Sequence, residues 1–245
     1  MPDVLGWRKK FGVLLPSSNT IVEPDFYAMS VPGVTAHGCR IWIDEEPPQD
    51  PNEPRHTHVT ETVPAVQRLL TSRPDYLIMG ISGPTFRGGV EGNREWKIRM
   101  KEYSGGLDIA NNAEACERAL RGLNVRRIGV LTPYQASGSV DVLRYFEEAG
   151  FDVVSHQDLG CAKPIDIAQV GEEVSRKALL EINNDDVQAI VQAGTNLNFL
   201  RLAAEAERWL GKPVLASNAV TWWMALRDND IQDKIYGFGQ VLSQF

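Results

Sequence analysis

The segment GVLLPSSN (residues 12–19) returns as GVLTPYQA (residues 129–136), an offset of 117 in a chain of 245 residues. The same offset carries Gly33 onto Gly150, and LIMGISG (77–83) resembles AIVQAGT (189–195) at an offset of about 112 to 114. A repeat at half the chain length is too long for a solenoid unit, so it predicts two half-length units related by a pseudo-twofold. Short apolar runs at 11–15, 34–42, 76–79, 127–131, 153–158, 189–192 and 213–216 read as strands separated by helical patterns. That alternation is the mark of an α/β fold with mostly parallel sheets. The expected architecture is two pseudo-symmetric lobes, 1–118 and 119–245, each a mostly parallel sheet flanked by helices, with the last residues free to pack back on the first lobe.

Val59, Val63, Val66 and Leu70 share one helical face, and Ala113, Cys116, Leu120 and Leu123 share another, which places Cys116 in a core. Gly150 and Gly211 stand where a helix C-terminus favours a left-handed residue. Two stretches break the alternation. Residues 44–58 are Pro-rich and acidic and read as an irregular loop, and residues 82–106, with glycines at both ends of a charged helical centre, have the composition of a lid.

A net charge of −7 argues against nucleic acid as a partner. The three cysteines, Cys39, Cys116 and Cys161, form no close pair, which fits neither a disulfide framework nor a zinc motif and favours a reducing cytoplasm. The N-terminus lacks a signal-peptide pattern, and no apolar run reaches the roughly 20 residues that cross a bilayer.

In open α/β sheets ligands bind beyond the carboxyl ends of the strands. Four loops qualify, at 16–20, 80–84, 132–139 and 194–196, and all carry small or hydroxyl residues. Ser17, Ser18, Asn19, Ser82, Tyr134, Thr195 and Asn196 could donate hydrogen bonds there, and backbone amides at helix starts attract carboxylates and oxyanions. Each such Ser, Thr or Asn is also an ordinary helix cap. The repeat shifts the balance toward function, because two halves bring equivalent loops together in one cleft.

PSSNT with Glu23 three residues on, MGISGPTFRGG, VLTPY, a strand ending in a small-residue turn and GKPVLASN follow one another over most of the chain. In this order they resemble the maleate isomerase and arylmalonate decarboxylase branch of the aspartate/glutamate racemase superfamily. The resemblance implies a site between two lobes that needs neither cofactor nor metal and acts on a small carboxylate. In the family, cysteines serve as acid, base or nucleophile, one per lobe in the racemases and only the second-lobe one in the decarboxylases. By position these fall on Gly80 and Gly194, so this chain lacks both.

A two-thiol racemisation is thereby excluded, and cysteine-dependent cis–trans isomerisation disfavoured. The leading expectation is a decarboxylase-like enzyme that stabilises an enediolate in an oxyanion cage. Tyr134, Ser82, Thr195 and Asn19 are its catalytic candidates; Pro16, Ser17, Ser18, Gly80, Ile81, Gly83, Gly194 and Asn196 its binding candidates. The donors would include the amides of 80–83 and 194–196, and the proton would come from Tyr134 or a water. A Gly194→Cys variant that gained proton-transfer activity on an arylmalonate would show that the cage is intact and only the thiol is replaced. A lyase, hydratase or hydrolase with Glu23 as base is the second reading, and a carboxylate-binding protein without catalysis the third. Association into a homo-oligomer is compatible with the sequence. Other candidates are a lid of cations (Arg87, Arg94, Lys97, Arg99), His56 and His58 with Glu53 on a metal, and Trp222 and Trp223 against the last helix or an apolar side of the pocket.

Overall fold

A computed structural model describes residues 3–44 and 56–245. The first half runs β1 (Lys9–Pro16), α1 (Val22–Ala28), β2 (Val34–Ile41), α2 (His58–Leu70), β3 (Tyr76–Met79), α3 (Gly83–Phe86), α4 (Gly89–Tyr103), β4 (Ile109–Ala110) and α5 (Asn112–Gly122). The second runs β5 (Arg127–Thr132), α6 (Ala136–Glu148), β6 (Asp152–Asp158), α7 (Pro164–Ile167), α8 (Glu172–Ile182), β7 (Ala189–Gln192), α9 (Leu200–Leu210), β8 (Val214–Ala216), α10 (Ser217–Arg227) and α11 (Gln240–Gln244). The sheets have the orders β2-β1-β3-β4 and β6-β5-β7-β8, with every pairing parallel. The repeat in the sequence is therefore a repeat of topology.

The repeated glycines have a packing cause. A Cβ on Gly12 would lie 2.9 Å from Leu69 of α2, and one on Gly129 2.3 Å from Ile182 of α8. Each central strand thus gives up one side chain so that a helix can seat directly on the sheet. β3 and β7 are buried along their whole length, as parallel strands covered on both faces must be.

The two halves share one large core. α10 packs on α1, α5, β3 and β4, and its Trp222 lies against Phe11 and Phe26 while donating from Nε1 to the Met29 carbonyl at 2.9 Å. Trp222 therefore builds the core of the first sheet and does not close a pocket. A smaller core, formed by Leu14, Leu77, Met79, Ala65, Val66, Leu69, Trp96 and Met100, fills the other face of that sheet.

Three expectations are corrected here. β4 is an eighth strand, only two residues long. The buried face of α2 is Ala65, Val66 and Leu69, while Val59 is 69% exposed. The lid is instead packed structure: Trp96 and Met100 of α4 are buried, and Asn93 Nδ2 is fixed to the Thr85 carbonyl at 2.7 Å and Asn111 Oδ1 at 3.0 Å. The acidic Pro-rich loop falls mainly in 45–55, outside the described residues, and its last part already enters α2.

Candidate active site

The loops that follow β1, β3, β5 and β7 converge on one cavity of about 350 Å³ at the carboxyl ends of the strands. Pro16, Ser18, Asn19, Ile81, Ser82, Gly83, Tyr134, Gly194, Thr195 and Asn196 all line it. Ser17 and Gly80 do not. The Ser17 hydroxyl accepts from Ile43 N–H at 3.1 Å, and Gly80 N–H donates to the Leu14 carbonyl at 2.6 Å, so both hold the loops in shape behind the wall.

Asn19 shows how the first loop is set. Its Oδ1 accepts from the N–H groups of Ile21 and Val22 at 3.0 and 2.9 Å, capping the turn that enters α1. The residue is 1% exposed, and its Nδ2 has no partner. A buried unpaired donor costs about 1–3 kcal/mol, and here it belongs to a residue of the cavity wall. Arg40 of β2 holds the same loop from outside, donating to the Asn19 carbonyl at 2.7 Å and pairing with Glu23 at 2.5 Å. Glu23 is thus a surface ion-pair partner away from the cavity, which removes it as the candidate base.

Thr195 ties the two halves together. Its N–H donates to Ser82 Oγ at 3.0 Å and its hydroxyl to the Gly80 carbonyl at 2.8 Å. Asn196 repeats the device, with Oδ1 accepting from Thr20 N–H at 3.0 Å and Nδ2 donating to the Pro164 carbonyl at 2.9 Å. Gly194 N–H is taken by Ser217 Oγ at 2.8 Å. The cage expected from the amides of 194–196 is therefore largely committed inside the protein, and the Thr195 hydroxyl serves as a strut. What remains for a ligand is Ser82, whose oxygen accepts from Thr195 N–H, together with Tyr134. Burial pushes the Tyr134 phenol pKa above its ordinary value, against the lowering pull of the Ser82 hydroxyl, so Tyr134 stays a donor.

Tyr134 is placed by its own turn. Thr132 and Ser139 hydroxyls share Asp158 Oδ1 at 3.0 and 2.6 Å, and Thr132 Oγ1 accepts Tyr134 N–H at 3.2 Å. Immediately afterwards α6 begins at Ala136 without a side-chain cap, and its first-turn residues Ser137 and Gly138 line the cavity. An open helix N-terminus favours an anion there.

At the two positions where the family resemblance puts a cysteine, the structure shows different reasons for glycine. Gly194 has φ +154°, and a Cβ on it would meet Cγ and Cδ of Pro133 at 2.5 Å. The proline ring occupies the space a Cβ would need, so a cysteine at Gly194 would not enter an otherwise unchanged site. A Cβ on Gly80 would come within 3.0–3.3 Å of the Leu14 carbonyl, Leu15 and Val22, a tight fit without the backbone strain.

The wall that sequence reasoning missed is the segment after β6. Past the strand end this segment is tied to the loop after β5: Leu159 N–H donates to the Thr132 carbonyl, Gly160 N–H to Tyr134, and Cys161 N–H to Pro133, at 2.9–3.0 Å. Cys161, Ala162, Lys163 and Pro164 thereby line the cavity with Ile43 and Ile167. Cys161, expected to lie outside the motif loops, is in the site. No residue of the described wall is acidic, and Lys163 adds a cation. The other cysteines match expectation, Cys116 fully buried and Cys39 half-buried in β2.

Several remaining candidates lie elsewhere. Arg94 pairs with Glu91, Lys97 with Glu114 and Arg99 with Glu95, all on or against α4. Arg87, Arg99 and His58 border a separate cavity of about 340 Å³ over Trp96. His56 stacks on Trp42 and pairs with Glu61 at 3.0 Å. Glu53 lies outside the described residues, and among those described no group of three or more His, Cys, Asp and Glu could hold a metal ion. No helix of the described residues is long and apolar enough to cross a membrane.

Two four-stranded parallel lobes with one cavity lined from both define a two-lobe α/β fold, and maleate isomerase and arylmalonate decarboxylase structures have the same fold. The chain belongs to the arylmalonate decarboxylase family, whose profile, described as "Arylmalonate decarboxylase", matches residues 52–242. Maleate isomerase of Nocardia farcinica is 25% identical over 246 residues, covering 96% of each chain, and that of Alcaligenes faecalis 22% identical over 247 residues, again 96% of each. Among solved structures, the Nocardia farcinica maleate cis-trans isomerase with a covalently bound succinylcysteine intermediate has a TM-score of 0.86 at 22% identity, covering 97% of this chain and 99% of that one. A crystal structure of arylmalonate decarboxylase has a TM-score of 0.73 at 20% identity, covering 95% and 98%.

Proposed function

We propose that this chain is a cofactor-independent, decarboxylase-like enzyme of the cytoplasm, acting on a small activated carboxylic acid such as an arylmalonate. The observation that carries the reading is the Ser82–Tyr134 pair, whose residues line the same cavity of small-molecule size with the unpaired Asn19 amide in the same wall.

When the bond to the departing carboxylate breaks, its electron pair stays on the α-carbon and spreads into the remaining carboxylate, giving an enediolate. Hydrogen bonds to the remaining oxygens strengthen as this charge grows, so donors fixed beforehand lower the barrier more than they tighten substrate binding. Ser82 and Tyr134 are assigned to those oxygens. The uncapped start of α6 and Asn19 Nδ2 hold the ground-state carboxylate, and Thr195 keeps Ser82 in place. Ile43, Ile81 and Ile167 supply an apolar wall. Such a wall favours neutral CO2 over the carboxylate it leaves.

The test is CO2 release from phenylmalonate by protein dialysed against a chelator, with no cofactor added. The expected result is turnover by the wild type and losses of about 10²–10³-fold in kcat for Ser82→Ala and for Tyr134→Phe, the scale of one oxyanion donor. Unchanged turnover in both variants would overturn the assignment.

A further inference from the structure

The enediolate must take up a proton at carbon, and the proposed oxyanion donors cannot both hold its oxygens and supply that proton. We propose that Cys161 is the proton donor. This rests on the decarboxylation reading above.

Few side chains on the cavity wall can give up a proton. The exchangeable protons of the wall belong to hydroxyls, amides, the Lys163 ammonium and one thiol. Ordinary acidities place Cys at about 8.5, against about 10 for Tyr and 10.4 for Lys. By these ordinary acidities a thiol is the strongest acid type among the side chains of the wall. Burial and the nearby Asp166 push the Cys161 pKa up, which keeps sulfur protonated near neutrality and suits an acid better than a nucleophile.

Its placement is built from both sides. Cys161 N–H is bound to the Pro133 carbonyl at 2.9 Å, and three residues on the Pro164 carbonyl accepts from Asn196 at 2.9 Å. The same Pro133 fills the space above Gly194, so one residue closes the position that resembles the family's thiol site and anchors a segment that brings in another thiol. A second observation points to a ligand in this cavity: Asn19 is 1% exposed, directs Oδ1 to the start of α1, and is left with an unpaired Nδ2 as the polar atom it can offer there. A carboxylate oxygen supplies that partner. Cys116 has no comparable access, being sealed in the core with its sulfur against Asn112.

The step balances. The C–C bond breaks and CO2 leaves. The α-carbon then takes the proton of Cys161, whose S–H pair stays on sulfur as thiolate, and water reprotonates the thiolate between turnovers.

The experiment uses 2-methyl-2-phenylmalonate, whose product 2-phenylpropionate is chiral, with wild type, Cys161→Ala and Cys161→Ser. The expected result is one enantiomer from the wild type, and near-racemic product from both variants at about 10²-fold lower kcat with little change in KM. The alkaline limb of the wild-type pH profile is expected to disappear in Cys161→Ser. A wild type that releases CO2, with variants matching it in rate, enantiomeric excess and pH profile, overturns the donor role and leaves decarboxylation standing. A wild type that releases no CO2 overturns both, and mass-spectrometric mapping of iodoacetamide labelling then separates the cases. Protection of Cys161 by phenylacetate retains a carboxylate-binding cavity, and absence of protection removes that as well.

Discussion

Replacing Gly194 with Ala measures whether the missing thiol is a simple deletion or a rebuilt backbone. A φ of +154° is a conformation that L residues rarely adopt, and holding a side chain there costs about 1–3 kcal/mol. The new Cβ would stand 2.5 Å from two ring atoms of Pro133, and forcing a methyl into a packed site costs about 1–3 kcal/mol more. The combined loss is about 2–6 kcal/mol, a drop of roughly 5–15 °C in Tm for a chain of this size. Urea unfolding followed by fluorescence reads it directly. Gly80→Ala is the comparison, with contacts of 3.0–3.3 Å and no strained φ, and it should lose clearly less. Removing the obstacle tests the cause: in a double-mutant cycle, Pro133→Ala should recover about 1–3 kcal/mol of the Gly194→Ala loss while leaving the φ strain. A Gly194→Ala protein within about 0.5 kcal/mol of wild type, or an additive cycle, would refute the reasoning. The same geometry predicts that Gly194→Cys destabilises and does not improve turnover.

Two further outcomes follow from the loops around the cavity. Burial raises the Asp25 pKa to about 6, against the lowering pull of the Asn218 amide at 2.7 Å and of Arg201. Because the folded value exceeds the unfolded one, this group's contribution to stability is full below about pH 4 and is lost as pH rises through about 6, a cost of about 3 kcal/mol at alkaline pH. Asp25→Asn should therefore match wild type at pH 4 and exceed it by up to that amount at pH 8 in chemical denaturation; an unchanged difference across the range would contradict the assignment. Thr195→Val keeps the shape but leaves the buried Gly80 carbonyl without its 2.8 Å donor, for a loss of about 1–3 kcal/mol. It should also lower kcat by loosening Ser82, and a variant with wild-type stability and kcat would show that the strut is dispensable.

Much of this arrangement was legible from the chain alone because it rests on local chemistry. The repeated Gly-Val-Leu signals a central strand under a closely seated helix, and both copies have that cause. The small-residue loops lie at strand ends, and most of their named residues reach the cavity. The failures are of a different kind. β4 is two residues of Ile-Ala following a pair of glycines, too short to carry a period. On α2, the 3.6-residue repeat is satisfied by the set containing Val59 as well as by Ala65, Val66 and Leu69. Only contact with the sheet selects the second, because the first turn projects beyond it. The Gly-flanked segment 82–106 reads as a lid, yet Gly83 and Gly89 begin helices that dock on their neighbours. Cys161 was missed because nothing in its own segment marks it. It reaches the cavity because backbone bonds from Gly160 and Cys161 to the Tyr134 and Pro133 carbonyls hold the segment against the loop after β5. Hydroxyls and amides named as free donors at Thr195 and Gly194 proved to be partners of groups far off in sequence, which no local pattern announces.

The most direct test of the account is a crystal structure with phenylacetate bound. The expected density lies in the interlobe cavity, with the carboxylate within about 2.6–3.2 Å of the Tyr134 hydroxyl and Ser82 Oγ, Asn19 Nδ2 turned to it and Cys161 Sγ facing the α-carbon. A ligand seated instead in the cavity beside His58 and Trp96, or one whose carboxylate points away from Ser82 and Tyr134, would contradict it.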